Sequence, residues 1–336
     1  MLRAALVTPL SGPLADYGRA GAVALELWAA DSGARLTVHD AHPDPSAAVR
    51  AAEREQPELL FGPYGSGPAR AVAAATRRLV FNHGGARASA ANLVDVLAPA
   101  HTYFEGALAA VRGADASART VRIVHADSGF ARAVAAGARA AGARCGFEVS
   151  AATLPAATAD RGDDAAPCGD VLLVAGSFAD ERAAASRLRP GRWRAAGFVG
   201  AGVEEVLAGL RREGLLGPAQ WLLEAAPEPD EGPSARWFAD RYRERTGTAP
   251  PYPAAQAFAA GVIAARCVRD AGERSDDALH AAARALDCTT LLGRFRLDPR
   301  TGAQVGQRVL TVQWQDGARQ VVWPPERAAA RLRHPL

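Results

Sequence analysis

The feature that most constrains the fold is an alternation of short apolar runs with alanine-rich segments of helical period. This alternation is typical of βαβ units, which build a parallel sheet with helices packed on its faces. The chain has 336 residues, which is more than one ordinary core accommodates, so two lobes of about 150 residues each are expected. The pattern therefore predicts an α/β protein with parallel central sheets.

The strand-helix rhythm breaks around Pro99–Phe104 and starts again at Val121, which indicates a second sheet. The tail changes character, because a turn at Gln315–Ala318 joins two strand-like runs and predicts a β-hairpin. The predicted strands are Ala4–Thr8, Arg35–His39, Leu59–Phe61, Leu79–Asn82, Val121–His125, Gly146–Ser150, Val171–Ala175 and Ala196–Val199, with tail runs at Leu291–Leu297, Arg308–Trp314 and Gln320–Trp323. The predicted helices include Gly18–Ala30, Ser46–Glu55, Pro68–Arg77, Phe130–Ala141, Ser234–Arg245, Ala254–Asp270 and Asp276–Leu286.

The charge pattern argues against a nucleic-acid partner. All 39 basic residues are arginine, and they are interleaved with 36 acidic residues to give a net charge of only +3. A nucleic-acid binder normally collects its basic residues in a patch or stripe. We also expect no membrane span, since no apolar run reaches the roughly 20 residues that a span needs.

The first residues give no secretion signal. Met1–Leu6 runs straight into an apolar strand pattern, without a charged segment, a long apolar segment and a cleavage site. Three interpretations stay open: the sequence is a mature form with an added methionine, the natural start lies upstream, or the protein stays inside the cell.

The four cysteines do not predict a metal site. Cys145, Cys168, Cys267 and Cys288 form no C-x-x-C pair and have no histidine at metal-ligand spacing, so neither zinc nor another cofactor is expected. Cys267 and Cys288 fall in consecutive predicted helical stretches that could pack together, and Cys145 with Cys168 is a second possible disulfide. Four buried free thiols are an equal alternative.

Three turn-rich segments follow predicted strands, at the carboxyl ends where open α/β sheets bind ligands. They are Pro9–Pro13, Gly62–Gly67 and His83–Ala86. The second is the most informative, because its glycines allow close approach of the backbone and Pro68 opens a helix. The free N–H groups and positive dipole end of such a helix attract an anion, so a carboxylate or a phosphate is predicted there.

The sequence gives little support for a catalytic function of these loops. The Gly62–Gly67 loop lacks the Lys-Ser/Thr ending of a P-loop, and neither a G-x-G-x-x-G nor a G-x-S-x-G motif is present. Asp40 and Asp44 lie near His39 and His42, yet such a loop is more often ordinary turn chemistry than a metal site. We therefore predict no catalytic and no metal residues, and a nucleotide-dependent enzyme is the least favoured function.

Taken in order, the motifs resemble those of the type I periplasmic solute-binding proteins of the leucine/isoleucine/valine-binding group. Each motif is weak alone, but their order and spacing over nearly the whole chain are specific. They are Thr8–Leu14 with Tyr17-Gly18, His39-Asp40 with Asp44-Pro45, Gly62–Gly67, Gly84–Ala86, His125–Phe130, Gly176 with Phe178, and Leu292–Phe295 before Leu297-Asp298.

The resemblance implies two Rossmann-like lobes joined by three crossovers, with the ligand held in the cleft. The expected lobes are residues 1–102 with 227–297 and residues 103–226 with 298–336, and the crossovers near Thr102, Ala226 and Leu297 would act as hinges. It further implies a monomer without cofactor or catalysis, which delivers an amino acid or a related carboxylate or amide to an ABC transporter permease outside the cytoplasm. The alternative is a cytoplasmic ligand-sensing regulator of the amide-sensor type.

The resemblance also implies a set of ligand-binding residues. Ser66 and the backbone at Gly84, Gly85 and Ala86 would hold a ligand carboxylate, although Ala86 replaces the threonine of the family. Tyr17 would line the cleft from the first loop. The plainer alternatives are that Ser66 only caps the following helix and that Tyr17 only packs at the cleft edge.

The second half would supply the remaining contacts. Phe130 stands where the family has a tyrosine, Phe178 stands near another aromatic position, and either could be ordinary packing. Gly202 falls where an amino-acid-binding member would place the glutamate that pairs with the ligand ammonium, so weaker selection for α-amino acids is expected. The acids that could substitute for it are Glu204, Glu205 and Glu224.

Overall fold

The computed structural model describes residues 1–86, 90–154, 169–189 and 191–334. The chain forms two compact units: the first unit comprises Met1–Pro99 and Trp221–Arg308, and the second comprises Ala100–Gln220 and Val309–Leu336. It therefore passes between the units three times, which is the number of crossovers that the resemblance implies.

The crossover positions differ from those expected near Thr102, Ala226 and Leu297. The largest difference concerns residues 298–308, which were expected in the second lobe and belong to the first unit. Hydrogen bonds hold them there: Gln304 Nε2 donates to Val96 O at 3.2 Å, and the Ala98 N–H donates to Gln307 Oε1 at 2.7 Å. Each bond joins a glutamine side chain to a backbone group more than 200 positions earlier in the sequence. No local sequence pattern predicts such a contact.

The secondary structure alternates strands and helices as predicted, and Asp44 shows how one helix is started. Its carboxylate accepts hydrogen bonds from the amides of Ser46 and Ala47 at 3.0 Å each, and Pro45 occupies the first helical position. In chain order the elements are β1 (Arg3–Thr8), α1 (Ala15–Ser32), β2 (Arg35–Asp40), α2 (Pro45–Arg54), β3 (Leu59–Phe61), α3 (Ser66–Ala75), β4 (Val80–Asn82), β5 (Leu93–Asp95), α4 (Glu105–Ala114), β6 (Thr120–His125), α5 (Gly129–Arg144), β7 (Glu148–Thr153), β8 (Gly169–Ala175), α6 (Phe178–Ser186), β9 (Trp193–Phe198), β10 (Leu216–Ala219), α7 (Ala235–Thr246), α8 (Tyr252–Ala271), α9 (Asp276–Ala285), β11 (Asp287–Thr290), β12 (Gly293–Arg296), β13 (Leu310–Gln315) and β14 (Ala318–Trp323). Short 3₁₀ helices lie at Ala100–Thr102, Val199–Gly202, Leu223–Ala225 and Pro325–Arg327.

The first unit is built on a parallel sheet with the described strands in the order β2-β1-β3-β4-β5. Helices α1 and α8 pack against each other, and aromatic rings fill the core beneath them. The Trp28 and Phe61 rings meet edge to face at 5.4 Å, and Phe238 lies 4.8 Å from Phe258. This packing fixes the first unit's sheet, so the loops at its carboxyl edge rest on a rigid base.

The second unit contains a mixed sheet with the described strands in the order β14-β13-β10-β9-β8-β6-β7. Strands β6 to β9 are parallel, whereas β13 and β14 form the antiparallel hairpin that the tail predicted. The run Leu291–Leu297 differs, because its strand β12 pairs with β11 inside the first unit. The α/β fold class predicted from the alternation is confirmed in both units.

Three cysteines are free thiols. Cys267 on α8 and Cys288 are buried in the first unit, and burial raises the pKa of each thiol to about 12. Cys288 lies on strand β11 and not in the predicted helical stretch, so the helix packing expected for this pair was wrong. Cys145 is also free, and Cys168 lies outside the described residues. Among the described helices, none is long and apolar enough to span a membrane.

Candidate ligand-binding site

The carboxyl edge of the first unit's sheet brings together the loops that follow β1, β3 and β4. These strands are neighbours in the sheet, so the residues that come directly after them lie side by side. The Gly65 N–H donates to Gly84 O at 3.0 Å, and Tyr64 and Gly84 form a parallel bridge. Ser66, the first residue of α3, therefore lies next to the Gly84–Ala86 turn.

The buried Asn82 side chain holds this turn from below. Asn82 Oδ1 accepts from the Gly85 N–H at 2.9 Å and from the Gly84 N–H at 3.4 Å, and Asn82 Nδ2 donates to Gly85 O at 3.1 Å. Two of the three amides that were expected to meet a ligand are thus used inside the protein. Within the described turn, Asn82 accepts no hydrogen bond from the Ala86 N–H.

Asp95 is the second side chain beneath the turn. Its Oδ1 accepts from Asn82 Nδ2 at 2.5 Å, and the two residues are opposite each other in the β4–β5 register. Burial raises the pKa of the Asp95 carboxyl to about 7, although the hydrogen bond from Asn82 opposes that rise.

Three tyrosines form an aromatic cluster at the same edge. The Tyr17 and Tyr64 rings are stacked, with centroids 4.9 Å apart and planes at 14°. Tyr252, the first residue of α8, lies 6.3 Å from Tyr64 and 6.4 Å from Tyr17, and its hydroxyl is hydrogen-bonded to that of Tyr64. Tyr17 was predicted as a site residue. It stacks on Tyr64, which lies two residues before Ser66 in the loop after β3.

The loop after β2 is held by Asp40 as turn chemistry predicts. The Asp40 carboxylate accepts from the Ser11 hydroxyl at 2.6 Å and from the amides of Leu10 and His42 at 2.8 and 2.9 Å. Burial is the largest single influence and raises the pKa of Asp40, but the donors together outweigh it and lower the pKa to about 2. Asp40 thus ties the first loop to the His42 turn, and among the described side chains no group of three metal-ligating residues is present.

The second unit presents its predicted site residues after strands that are also neighbours. Phe130 follows β6 on α5, Phe178 begins α6 after β8, and Gly202 ends the 3₁₀ helix after β9. The half-buried Phe130 ring meets the buried Tyr103 ring edge to face at 5.8 Å. All three therefore belong to the carboxyl edge of the second unit's parallel strands.

Gly202 has no room for a side chain. A Cβ atom there would lie 1.7 Å from the carbonyl oxygen of Pro218 on β10. The acids considered as substitutes are exposed, and Glu204 is paired with Arg319 at 3.0 Å and with Arg212 at 3.6 Å. Glu205 and Glu224 are likewise exposed. None of these positions provides the buried carboxylate that an ammonium would require.

Glu181 is a fully buried acid at the same edge, and it is used to join two loops. Its carboxylate accepts from the amides of Gly176 and Gly200, at 3.0 and 2.5 Å. Burial raises the pKa of the Glu181 carboxyl to about 8, while the two amides pull it down in part. Both oxygens are occupied, so Glu181 orders the loops after β8 and β9.

Sequence reasoning missed Tyr64, Tyr252, Asn82, Asp95 and Glu181. Tyr64 stood inside the informative glycine loop, and its place between Pro63 and Gly65 was the available signal. Tyr252 follows Pro251, and this proline signals the start of a helix. It does not indicate which loop the tyrosine contacts. Asn82 and Asp95 end short apolar strands, Glu181 lies in the first turn of α6, and none of the three carried a recognisable motif.

Comparison with known proteins gives a consistent match. Residues 179–319 match the family described as Periplasmic binding protein. Among curated protein sequences, none matches this chain significantly.

Solved structures similar to this chain come from several bacteria. A leucine-binding protein from Thermotoga maritima superposes with a TM-score of 0.75 at 15% identity, over 96% of this chain and 97% of that chain. A branched-chain amino acid ABC transporter periplasmic ligand-binding protein from Burkholderia xenovorans gives 0.76 at 15% identity, over 94% and 91%. A solute-binding protein of an ABC transporter from Rhodopseudomonas palustris, in complex with 3,4-dihydroxybenzoic acid, gives 0.73 at 17% identity, over 95% and 94%.

The similarity in fold spans nearly all of each chain, whereas the family match covers residues 179–319. Both agree with the motif order found in the sequence. The chain has the fold of the type I periplasmic binding proteins, as the resemblance of its motifs predicts, and residues 179–319 match the family described as Periplasmic binding protein.

Proposed function

We propose that this chain is an extracytoplasmic solute-binding protein that captures a small ligand through its carboxylate and delivers it to an ABC transporter. The observation that carries the proposal is the placement of Ser66 and the N-terminus of α3 beside the Gly84–Ala86 turn. A helix N-terminus offers N–H groups that its own turn does not use, together with the positive end of the helix dipole. Such a site favours a carboxylate without a cationic side chain. We propose no catalytic role.

The aromatic cluster and the filled Gly202 position favour an aromatic acid over an α-amino acid. The stacked pair of Tyr17 and Tyr64 gives this edge an aromatic surface that suits an aromatic ligand, since aromatic rings gain from stacked or edge contacts. A buried ammonium needs a charged or polar partner, and the position where the family supplies one has no space for a side chain. The similar protein from Rhodopseudomonas palustris was solved with an aromatic acid, which supports this ligand class.

The partner and location are proposed from the similar proteins. The proteins from Rhodopseudomonas palustris and Burkholderia xenovorans belong to ABC transporters, and the second of them is periplasmic. We therefore propose a transporter permease as the partner, a monomeric state and a location outside the cytoplasm.

A thermal-shift panel tests this function. We expect benzoate, 4-hydroxybenzoate and 3,4-dihydroxybenzoate to raise the melting temperature, because a ligand that binds only the folded state stabilises it by mass action. At one hundred times its dissociation constant, a ligand contributes about 2.7 kcal/mol. Benzyl alcohol, which lacks the carboxylate, is the control. A shift with L-leucine and none with the three acids would contradict the proposed ligand class.

The Ser66→Ala variant tests the carboxylate contact. Removing the hydroxyl leaves part of a buried charge unsatisfied, so affinity for an aromatic acid should fall roughly ten- to hundredfold. Calorimetry measures the change directly. The matched control is Ser32→Ala, since Ser32 ends α1 in the same unit and donates to Ala29 O away from the site. An unchanged dissociation constant in Ser66→Ala would remove Ser66 from the site.

A further inference from the structure

The Gly84–Ala86 turn has little intrinsic shape of its own. Two consecutive glycines sample many backbone conformations, and ordering them on ligand binding would weaken affinity. In the structure the turn is packed tightly, because a Cβ at Gly85 would lie 2.4 Å from Ala69 Cβ on α3. Its position therefore sets the spacing between the Ala86 amide and Ser66 at the start of α3.

The Asn82 amide is what fixes the turn. It accepts from both glycine N–H groups and donates to Gly85 O, so one side chain satisfies three backbone groups of the turn. This works in one orientation of the amide only. If the amide were flipped, its NH₂ group would face the two glycine donors.

Asp95 selects that orientation. Asp95 Oδ1 accepts from Asn82 Nδ2 at 2.5 Å, and the ionised carboxylate, which is the main form above pH 7, can only accept hydrogen bonds. The NH₂ group of Asn82 must then face β5, which leaves its oxygen facing the glycine amides. Asn82 is fully buried and Asp95 is half-buried at the last positions of adjacent parallel strands, so water has only limited access to these bonds.

We propose that Asn82 and Asp95 are a positioning pair, which holds the glycine turn in its ligand-binding shape and keeps the Gly84 and Gly85 amides away from the ligand. The pair touches no ligand itself. The turn then contributes the Ala86 amide, and Ser66 with the α3 N-terminus contributes the rest. This inference rests on the proposed function, because it assumes that the turn faces a carboxylate.

Two variants of Asp95 separate positioning from general stability. Asp95→Leu removes the acceptor and keeps a branched side chain with the same number of heavy atoms, whereas Asp95→Asn keeps an oxygen that can accept from Asn82. In Asp95→Leu we expect amide exchange at Gly84 and Gly85, followed by NMR without ligand, to be about tenfold faster than in the wild type. The dissociation constant for 4-hydroxybenzoate, measured by calorimetry, should rise by a similar factor. Asp95→Asn should restore both values to within about twofold.

The outcomes are distinguishable. Wild-type exchange at both glycines in Asp95→Leu would overturn the inference, and so would faster exchange spread evenly over β1 to β5. If 4-hydroxybenzoate and the other aromatic acids fail to bind the wild type, the proposed ligand class fails. Local exchange at the two glycines then still decides whether Asn82 and Asp95 hold the turn.

Discussion

Gly202→Glu is expected to destabilise the second unit strongly and to create no ammonium site. The added Cβ would lie 1.7 Å from Pro218 O and 2.5 Å from Pro218 C, which are backbone atoms that no side-chain rotation can move. Overpacking a core usually costs about 1–3 kcal/mol, and a backbone clash should reach about 3 kcal/mol or more. Gly202→Ala should show nearly the same loss, since the Cβ is the atom that clashes. Urea unfolding followed by near-ultraviolet circular dichroism measures it.

Gly113→Ala is the matched control for this experiment. Gly113 lies on α4 of the same unit, and a Cβ there meets nothing within 4 Å. Because alanine favours a helix over glycine, the control should be neutral or more stable by up to about 1 kcal/mol. An unfolding midpoint for Gly202→Ala equal to that of the wild type would show that the loop moves aside. A glutamate side chain could then be accommodated at position 202.

The filled space at Gly202 shows what a motif order can and cannot predict. The position was identified from its place after a strand, and the structure confirms that it follows β9. What lies opposite it is β10, a strand containing Gly217 and Pro218 that alternation does not predict. The contact that decides the chemistry at Gly202 therefore depends on a strand that the sequence pattern hides.

Regular alternation predicted the strands that lie inside βαβ units. Strands β1, β3 and β6 lie within a residue or so of their predicted ranges, because their apolar runs are flanked by clear helices. Strand β5 has only three residues and was not predicted. Its last residue is Asp95, so the positioning pair could not be anticipated without it.

The carboxyl edge of the first unit's sheet was predicted in outline and not in its aromatic part. Ser66 and the glycine turn follow neighbouring strands, so the rule for open α/β sheets placed them together. The hydrogen-bonded hydroxyls of Tyr64 and Tyr252 belong to residues 188 positions apart. That contact depends on how α8 packs against α1, which a single sequence does not specify.

The stability of the first unit is expected to fall in acid because of His83. His83 is fully buried at the carboxyl end of β4, and neither ring nitrogen has a hydrogen-bond partner among the described residues. Burial lowers the pKa of the imidazole from 6.5 to about 4, because the charged form would lose its hydration. Above pH 6.5 the ring is neutral in the folded and unfolded chains and contributes no pH dependence.

Below pH 6.5 the unfolded chain takes up a proton that the folded chain does not, so the free energy of unfolding falls as the pH falls. The loss is complete near pH 4 and amounts to about 3 kcal/mol for a shift of this size. His83→Leu should remove this component and leave stability at pH 7 equal or higher, since two buried unsatisfied nitrogens are replaced by carbon. Urea unfolding of both proteins between pH 4 and pH 8 measures the effect.

The difference between wild type and variant isolates His83 from the other buried groups. Asp95 and Glu181 have raised pKa values, so their contributions run the other way and reduce stability as the pH rises towards about 7 and about 8. Both are present in His83→Leu and cancel in the subtraction. His101→Leu, at an exposed histidine, is the control for replacing an imidazole by an apolar side chain. Parallel profiles for wild type and His83→Leu below pH 6 would mean that the imidazole gains a partner when protonated, and that the ring does not stay packed beside Gly21.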